Sequence, residues 1–270
     1  HLVALKKLGH KAIKRAELLG EITKSKATLA ISGTHGKTST TALLAHIIDG
    51  TPQRCNAFIG GVSAEIDSNL YYSPNAKWNI VEADEFDRSF HHLHPTHAVI
   101  TSLDPDHLDV YGSEPNFIEA FKIFASQVKE KVVIHHSIAT TFNNLQNIET
   151  YGLEDCSFTH YATDLSQTSS GTSFTLSLGN GKMVIPNVRV ELMGKHNLEN
   201  IVAAAALAYL AGADKGIISS RINSFKGIYR RFQIHLNSKF KVYIDDYAHH
   251  PTELRKTIEA VRTHFPGKHL

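Results

Sequence analysis

The stretch Ala30-Ile31-Ser32-Gly33-Thr34-His35-Gly36-Lys37-Thr38-Ser39 decides the fold. The apolar run from Ala27 to Ile31 has the make-up of a buried strand. A turn bracketed by glycines follows, and Thr38 to Ile48 then fits a helix. Strand, glycine turn, Gly-Lys-Thr and helix together are the context that a phosphate-binding loop needs. The glycines let backbone N–H groups close around an anion, and the helix N-terminus adds its dipole. Lys37 would reach the terminal phosphates, and the Thr38 hydroxyl would ligate Mg²⁺. The common P-loop carries an earlier glycine where this chain has Ile31. The plainer alternative is an ordinary strand-turn-helix corner with a surface lysine. The loop by itself says only that a nucleoside triphosphate binds.

The 270 residues suffice for one large domain or two modest ones. The formal net charge is +2, both signs are interspersed, and no Lys/Arg-rich run appears. Nucleic acid is therefore not the expected partner. No apolar stretch approaches the roughly 18–20 residues that a membrane helix needs, so no membrane partner is expected. His1 to Lys14 is basic and helical in pattern but lacks the apolar core of a signal peptide. Cys55 and Cys156 make neither a disulfide framework nor a CxxC metal site, and a reducing cytoplasm is the expected compartment. The chain starts with His rather than Met, and a fragment of a longer protein is expected.

Outward from the loop, strands and helices alternate. Residues 1–26 read as a helix or two, with a loose apolar stripe. Ala57-Phe58-Ile59 reads as a strand ending in a tight turn at Gly60-Gly61. Trp78 to Val81 and His97 to Leu103 read as strands ending in Glu82-Ala83-Asp84-Glu85 and Asp104-Pro105-Asp106-His107-Leu108-Asp109. Residues 114–129 form a helix with Phe117, Phe121, Phe124 and Val128 on one face, and Lys131 to Ile134 is the next strand. This alternation predicts an α/β fold with a doubly wound, mostly parallel sheet. Ligand-binding residues should cluster at the carboxyl ends of its strands.

Cys156 to Met193 is β-rich, with a hairpin turn at Gly179-Asn180-Gly181, and reads as a small antiparallel extension. Asn197 suits the N-cap of the alanine-rich helix Ile201 to Leu210, and residues 214–225 form a short helix. Gly227 to Phe232 is a basic loop. Lys241 to Ile244, Asp245 to Pro251 and Thr252 to His264 then read as the opening strand, loop and helix of a further, Rossmann-like α/β domain.

A triphosphate loop needs metal ligands, and Glu82, Asp84 and Glu85 follow a buried strand where a P-loop protein keeps its Mg²⁺-holding carboxylate. A cation would relieve the repulsion among these acids, and so would plain water at a solvated strand end. Physical chemistry alone does not choose among the three. His107 beside Asp106 and Asp109 is either a metal ligand or a surface histidine on a turn. Arg230-Arg231-Phe232 is either a solvated loop or a phosphate or ribose contact. Asp245-Asp246 could bond ribose hydroxyls or cap the helix near Pro251. His249-His250 has no zinc spacing to a cysteine.

Taken in order, Gly33-Thr34-His35-Gly36-Lys37-Thr38, Glu82 to Glu85, Asp106-His107, His196-Asn197 with Asn200, Arg230-Arg231-Phe232 and Asp246 to Thr252 resemble the motifs of the Mur ligase family over essentially the whole chain. That family's loop also lacks the early glycine. The resemblance implies three parts: the tail of a UDP-sugar-binding domain (1–26), a central ATP-binding domain (27–233) and the start of an amino-acid-binding domain (234–270). It implies two Mg²⁺ ions. ATP would contact Gly33, Thr34, His35, Gly36, Lys37, Thr38, Ser39, Asn197, Asn200, Arg231, Asp246 and His249. Thr38, Glu85 and His107 would bind the metal, with Lys37, Glu85 and His107 catalytic.

The implied reaction is acyl-phosphate ligation. The resemblance is nearest to the branch with UDP-N-acetylmuramate and L-alanine as substrates, in cytoplasmic peptidoglycan precursor synthesis. A branch adding a recycled tripeptide to the same sugar, and a generic P-loop ATPase or switch, remain the alternatives. The fragment is expected to be inactive alone.

Overall fold

The computed structural model describes residues 2–106, 108–168 and 171–269. Two helices, α1 (Leu2–Lys7) and α2 (Arg15–Ser25), lead into β1 (Ala27–Ser32), α3 (Lys37–Asp49), β2 (Cys55–Ser63), β3 (Ser68–Tyr71) and β4 (Trp78–Glu82). Next come β5 (His97–Ile100), α4 (Leu108–Tyr111), α5 (Glu114–Ser126), β6 (Lys131–His135) and β7 (Ile148–Leu153). Then follow β8 (His160–Thr168), β9 (Gly171–Leu178), β10 (Met183–Val190), α6 (Lys195–Leu210) and α7 (Lys215–Ser224). The chain closes with β11 (Gln233–Asn237), β12 (Val242–Asp245) and α8 (Pro251–His264).

Among the described residues ten strands form one sheet in the order β10-β9-β8-β7-β6-β5-β1-β4-β2-β3. The strands from β2 through β8 are joined by parallel pairings, and β3, β9 and β10 add antiparallel edges. The mostly parallel sheet with an antiparallel extension is the predicted architecture. A separate antiparallel pair, β11 with β12, stands before α8.

Both faces of the central strands are covered, so their side chains alternate between two cores. Leu29, Ile31, Ile80, Val99 and Val133 pack with α3 and α6. Ala30, Val81, Ala98, Ile100, Val132 and Ile134 pack with Phe117, Phe121 and Phe124 of α5. The chain leaves β1 through α3 toward β2 on one side, and leaves β5 through α5 toward β6 on the other. The order reverses between β1 and β5, which opens a crevice at their carboxyl ends.

Three local expectations need correction. Gly60 and Gly61 lie inside β2 rather than in a turn. A Cβ on Gly60 would come within 2.7 Å of the Glu82 carboxylate, so the missing side chain serves a close approach. Gly194, not Asn197, is the N-cap of α6; Asn197 is buried in the first turn and donates to Met193 O at 2.7 Å. The helix expected over 114–129 ends at Ser126, and Val128 is still buried.

Beyond the crevice, β6, β7 and β8 are tied by a charged cluster. Buried His160 places Nε2 2.8 Å from Glu149 Oε2, and Lys131 Nζ lies 3.1 Å from Glu149 Oε1. The His160 hydrogen bond, with help from Lys131 and against burial, brings the Glu149 carboxyl down to about 2. A carboxyl lowered on folding stabilises the fold above its ordinary value of 4.5, and this is lost as pH falls toward about 2. Glu149→Gln should therefore lower unfolding free energy at pH 7 by about 1–3 kcal/mol. Urea titrations of parent and variant should converge as pH drops through that window, and a gap independent of pH would contradict the assignment.

Candidate active site

The turn after β1 is built by its glycines. Gly33 has φ +120° and Gly36 has φ +82°, the region that favours glycine. A Cβ on Gly33 would sit 2.8 Å from the backbone nitrogens of Thr101 and Ser102, and one on Gly36 would collide with the Asn200 amide. The loop is thus wedged between the end of β5 and the start of α6. Thr34 Oγ1 donates to Asp104 O at 2.7 Å, and His35 N donates to Ser102 Oγ at 2.9 Å. The first helical bond of α3 runs from Thr40 N to Gly36 O, so the preceding amides form the free N-terminus of the helix.

Lys37 folds back over this turn. Its Nζ lies 2.8 Å from both carboxylate oxygens of Glu85 and 2.7 Å from Gly33 O. Glu85 is only 2% exposed. Tyr111 fixes the Glu85 backbone by donating its hydroxyl to the carbonyl at 2.5 Å. Thr38 turns to a different acid: its hydroxyl is 3.3 Å from Glu82 Oε2, while Gly60 N donates to Glu82 Oε1 at 2.6 Å. Burial raises the Glu82 carboxyl above the ordinary range, with Gly60 and Lys37 opposing. Asp84 is exposed beside them. Asp87 and Arg88, just beyond, hold left-handed backbones at φ 51° and 53°, and Arg88 stacks on the Tyr111 ring at 4.9 Å.

A cavity of about 160 Å³ opens over Lys37 and Thr38, walled by Glu85 and Asp106 and roofed by Arg231, His249 and Glu253. A second, of about 80 Å³, continues past Gly36 and Ser39 to Asn197, Asn200 and Asp246. Of the residues that the family motifs assign to ATP or metal, all but Gly33 and His107 border one of the two; Gly33 lies in the turn beneath, and His107 falls outside the described residues, while the further candidates Glu82, Asp109, Arg230 and Asp245 border neither. Asp246 is held by the turn and the helix that follow it, accepting from Ala248 N at 2.9 Å and Thr257 Oγ1 at 3.1 Å. Arg231 stacks over Tyr247 at 5.3 Å.

Among the lining residues, His196, quoted only within a motif, and Glu253 received no role from sequence. His196 sits beside Lys256, and burial, then that charge, lowers its imidazole to about 4. Glu253 was read only as part of a helix. Its Oε1 lies 3.1 Å from His35 Nδ1, and its Oε2 accepts from His249 N and His250 N. A glutamate three positions after the N-cap His250 is the sequence mark of a capping box and could have drawn attention to it.

The donors suit a hard cation. A threonine hydroxyl and the Glu82 and Glu85 carboxylates offer oxygen only. Among the described residues no three acids, histidines or cysteines converge as a metal cage. Mg²⁺ does not ask for one, since it usually keeps waters and substrate phosphates beside one or two carboxylates. The set fits a metal that arrives with phosphates.

Lys37→Ala would leave the buried Glu85 carboxylate without its cation, a loss worth about 3–5 kcal/mol. Pairing it with Glu85→Gln should restore most of that stability in urea denaturation. If the double variant is no more stable than Lys37→Ala, the pair does not carry the charge balance proposed.

Comparison with known proteins identifies the family. The Mur ligase middle domain matches residues 31–208, and the Mur ligase glutamate ligase domain matches residues 230–270. A UDP-N-acetylmuramate–L-alanine ligase of Porphyromonas gingivalis is 41% identical over 97% of this chain and 58% of its own length. One from Parabacteroides distasonis is 40% identical over 96% of this chain and 56% of its own. The crystal structure of a UDP-N-acetylmuramate–alanine ligase from Thermotoga maritima superposes with a TM-score of 0.79 at 25% identity, covering 93% of this chain and 58% of that one. The chain spans less than two thirds of the length of these relatives. On its sequence and on its fold, the chain belongs to the Mur ligase family.

Proposed function

We propose that this chain is the ATP-handling part of a ligase that joins L-alanine to UDP-N-acetylmuramate in cytoplasmic peptidoglycan precursor synthesis. The observation that carries the reading is the shared cavity: the glycine loop supplies one wall, and Arg231, His249 and Glu253 from the segment matching the second family domain supply the other. The relatives' names supply the substrates.

In this reading residues 27–233 bind ATP, 1–26 end a UDP-sugar-binding domain and 234–270 begin an amino-acid-binding one. Lys37 and the free amides at the α3 N-terminus hold the β- and γ-phosphates. Lys37 leaves Glu85 to do so, which frees that carboxylate. Thr38 and Glu85 then hold Mg²⁺, with Glu82 behind the threonine hydroxyl and His107 as the ligand of a second ion. When bound, the metal neutralises charge on the phosphoryl oxygens. Asn197 and Asn200 face the base, and Arg231, Asp246 and His249 reach the nucleotide from the opposite wall.

The substrate carboxylate takes the γ-phosphoryl group of ATP, releasing ADP, and the amine of L-alanine then displaces phosphate to give the amide. Water must be kept from the acyl phosphate, and a site split across two walls that close provides this.

The test is phosphate release by the protein at the full length of its relatives, given UDP-N-acetylmuramate, ATP and Mg²⁺. L-alanine and the recycled tripeptide are offered separately. Release with L-alanine alone, lost by at least about 100-fold in Lys37→Ala, is the expected result. Turnover indifferent to the UDP-sugar would remove the ligase reading, and release with the tripeptide alone would move the chain to the recycling branch.

A further inference from the structure

His35 is an unusual occupant for a phosphate loop. It stands between the two loop glycines, only 9% exposed, yet its ring meets the C-terminal segment. Nδ1 meets Glu253 Oε1 at 3.1 Å, and the ring lies against that of His250 with centroids 4.9 Å apart. Nε2 lies 2.8 Å from Asp104 Oδ2, close but not aligned as a hydrogen bond. The imidazole is therefore held between a carboxylate in the loop after β5 and another on α8.

Glu253 is equally committed. One oxygen faces His35; the other accepts the amides of His249 and His250, which shape the turn into α8. Burial works against its charge, and the His35 and backbone hydrogen bonds override burial and hold the carboxyl at about 2. One side chain thus joins the phosphate loop to the turn that roofs the phosphate cavity. The loop conformation depends on Gly33 and Gly36, so an anion seated on its amides fixes where His35 stands. A fixed His35 then fixes Glu253, and with it the turn.

We propose that His35 and Glu253 form a latch that couples nucleotide occupancy of the glycine loop to docking of the α8 segment over it. His35 acts here as a positioning residue, through Glu253, and not on the phosphates. The inference rests on the nucleotide reading above, and goes beyond it by assigning closure to one hydrogen-bonded pair.

A double-mutant cycle tests the latch in the full-length protein with a fluorescent ADP and Mg²⁺. The readouts are the nucleotide dissociation rate and amide hydrogen exchange over residues 249–256. Glu253→Gln keeps an oxygen for the helix cap, so α8 stays formed by circular dichroism. His35→Ala and Glu253→Gln should each speed release by about tenfold and remove the nucleotide-induced protection of that turn. The double variant should be no worse than either single. His35→Asn places an amide N–H where Nδ1 stood and should recover most of the loss, which a role in loop packing alone would not give.

Additive effects, or nucleotide-induced protection that survives in His35→Ala, would overturn the latch. A parent protein that binds no nucleotide would remove the nucleotide reading and the latch with it. Tight binding by the parent with an additive cycle would leave that reading standing and the latch refuted.

Discussion

A carboxylate as buried as Glu85 needs a cation within reach, and in this chain the cation is the phosphate-loop lysine. That single ion pair sets much of what surrounds it. It draws Lys37 back over Gly33 and ties the end of β4 to the start of α3. It also keeps a positive charge at a helix N-terminus that is already suited to anions. Lys37 and Glu85 are the groups that a metal–nucleotide would engage. Their mutual contact balances the buried charge, and in the proposed reading it is the one exchanged on binding. In that reading phosphate would replace carboxylate beside the lysine, and metal would replace lysine beside the carboxylate, so opposite charges would stay paired.

The sheet explains why these groups meet. Reversal of strand order between β1 and β5 leaves the carboxyl ends of β1, β4 and β5 without a helix passing across them. The glycine loop, the acidic turn and the Asp104 turn all open from those three ends. The remaining wall comes from beyond the sheet, from Arg230-Arg231 and the turn before α8. A site finished by a separate segment can open to admit substrate and close to exclude water. The His35–Glu253 contact places the start of α8 directly against the glycine loop.

Much of this was legible in the sequence, because the signals are local. A glycine that needs positive φ, a lysine and a hydroxyl at fixed offsets, and a strand of uniform apolarity specify the β1–α3 corner without reference to the rest of the chain. The phenylalanine face of α5 was readable from its helical spacing. Asn197, Asn200 and His249 entered the site on family motifs, whereas Arg231 and Asp246 were also candidate phosphate or ribose contacts on physical grounds, and the fold brings all five to the two cavities. What escaped depended on long-range packing. Gly60-Gly61 read as a turn because the approach of Glu82, from a strand that lies beside β2 only in the fold, is invisible locally. The same blindness left Glu82 and Glu85 undivided, although the fold gives the threonine to one and the lysine to the other. Glu253 went unnoticed because its partner, His35, lies at the far end of the chain.

The central claim is that Lys37 trades Glu85 for phosphate. The most direct measurement is a crystal structure of the protein with Mg²⁺ and a non-hydrolysable ATP analogue. The account predicts the γ-phosphate within hydrogen-bond distance of Lys37 Nζ, Glu85 turned from the lysine to the metal, and the base between Asn200 and the Asp246 wall. An analogue bound with the Lys37–Glu85 pair intact, or bound away from the glycine loop, would contradict it.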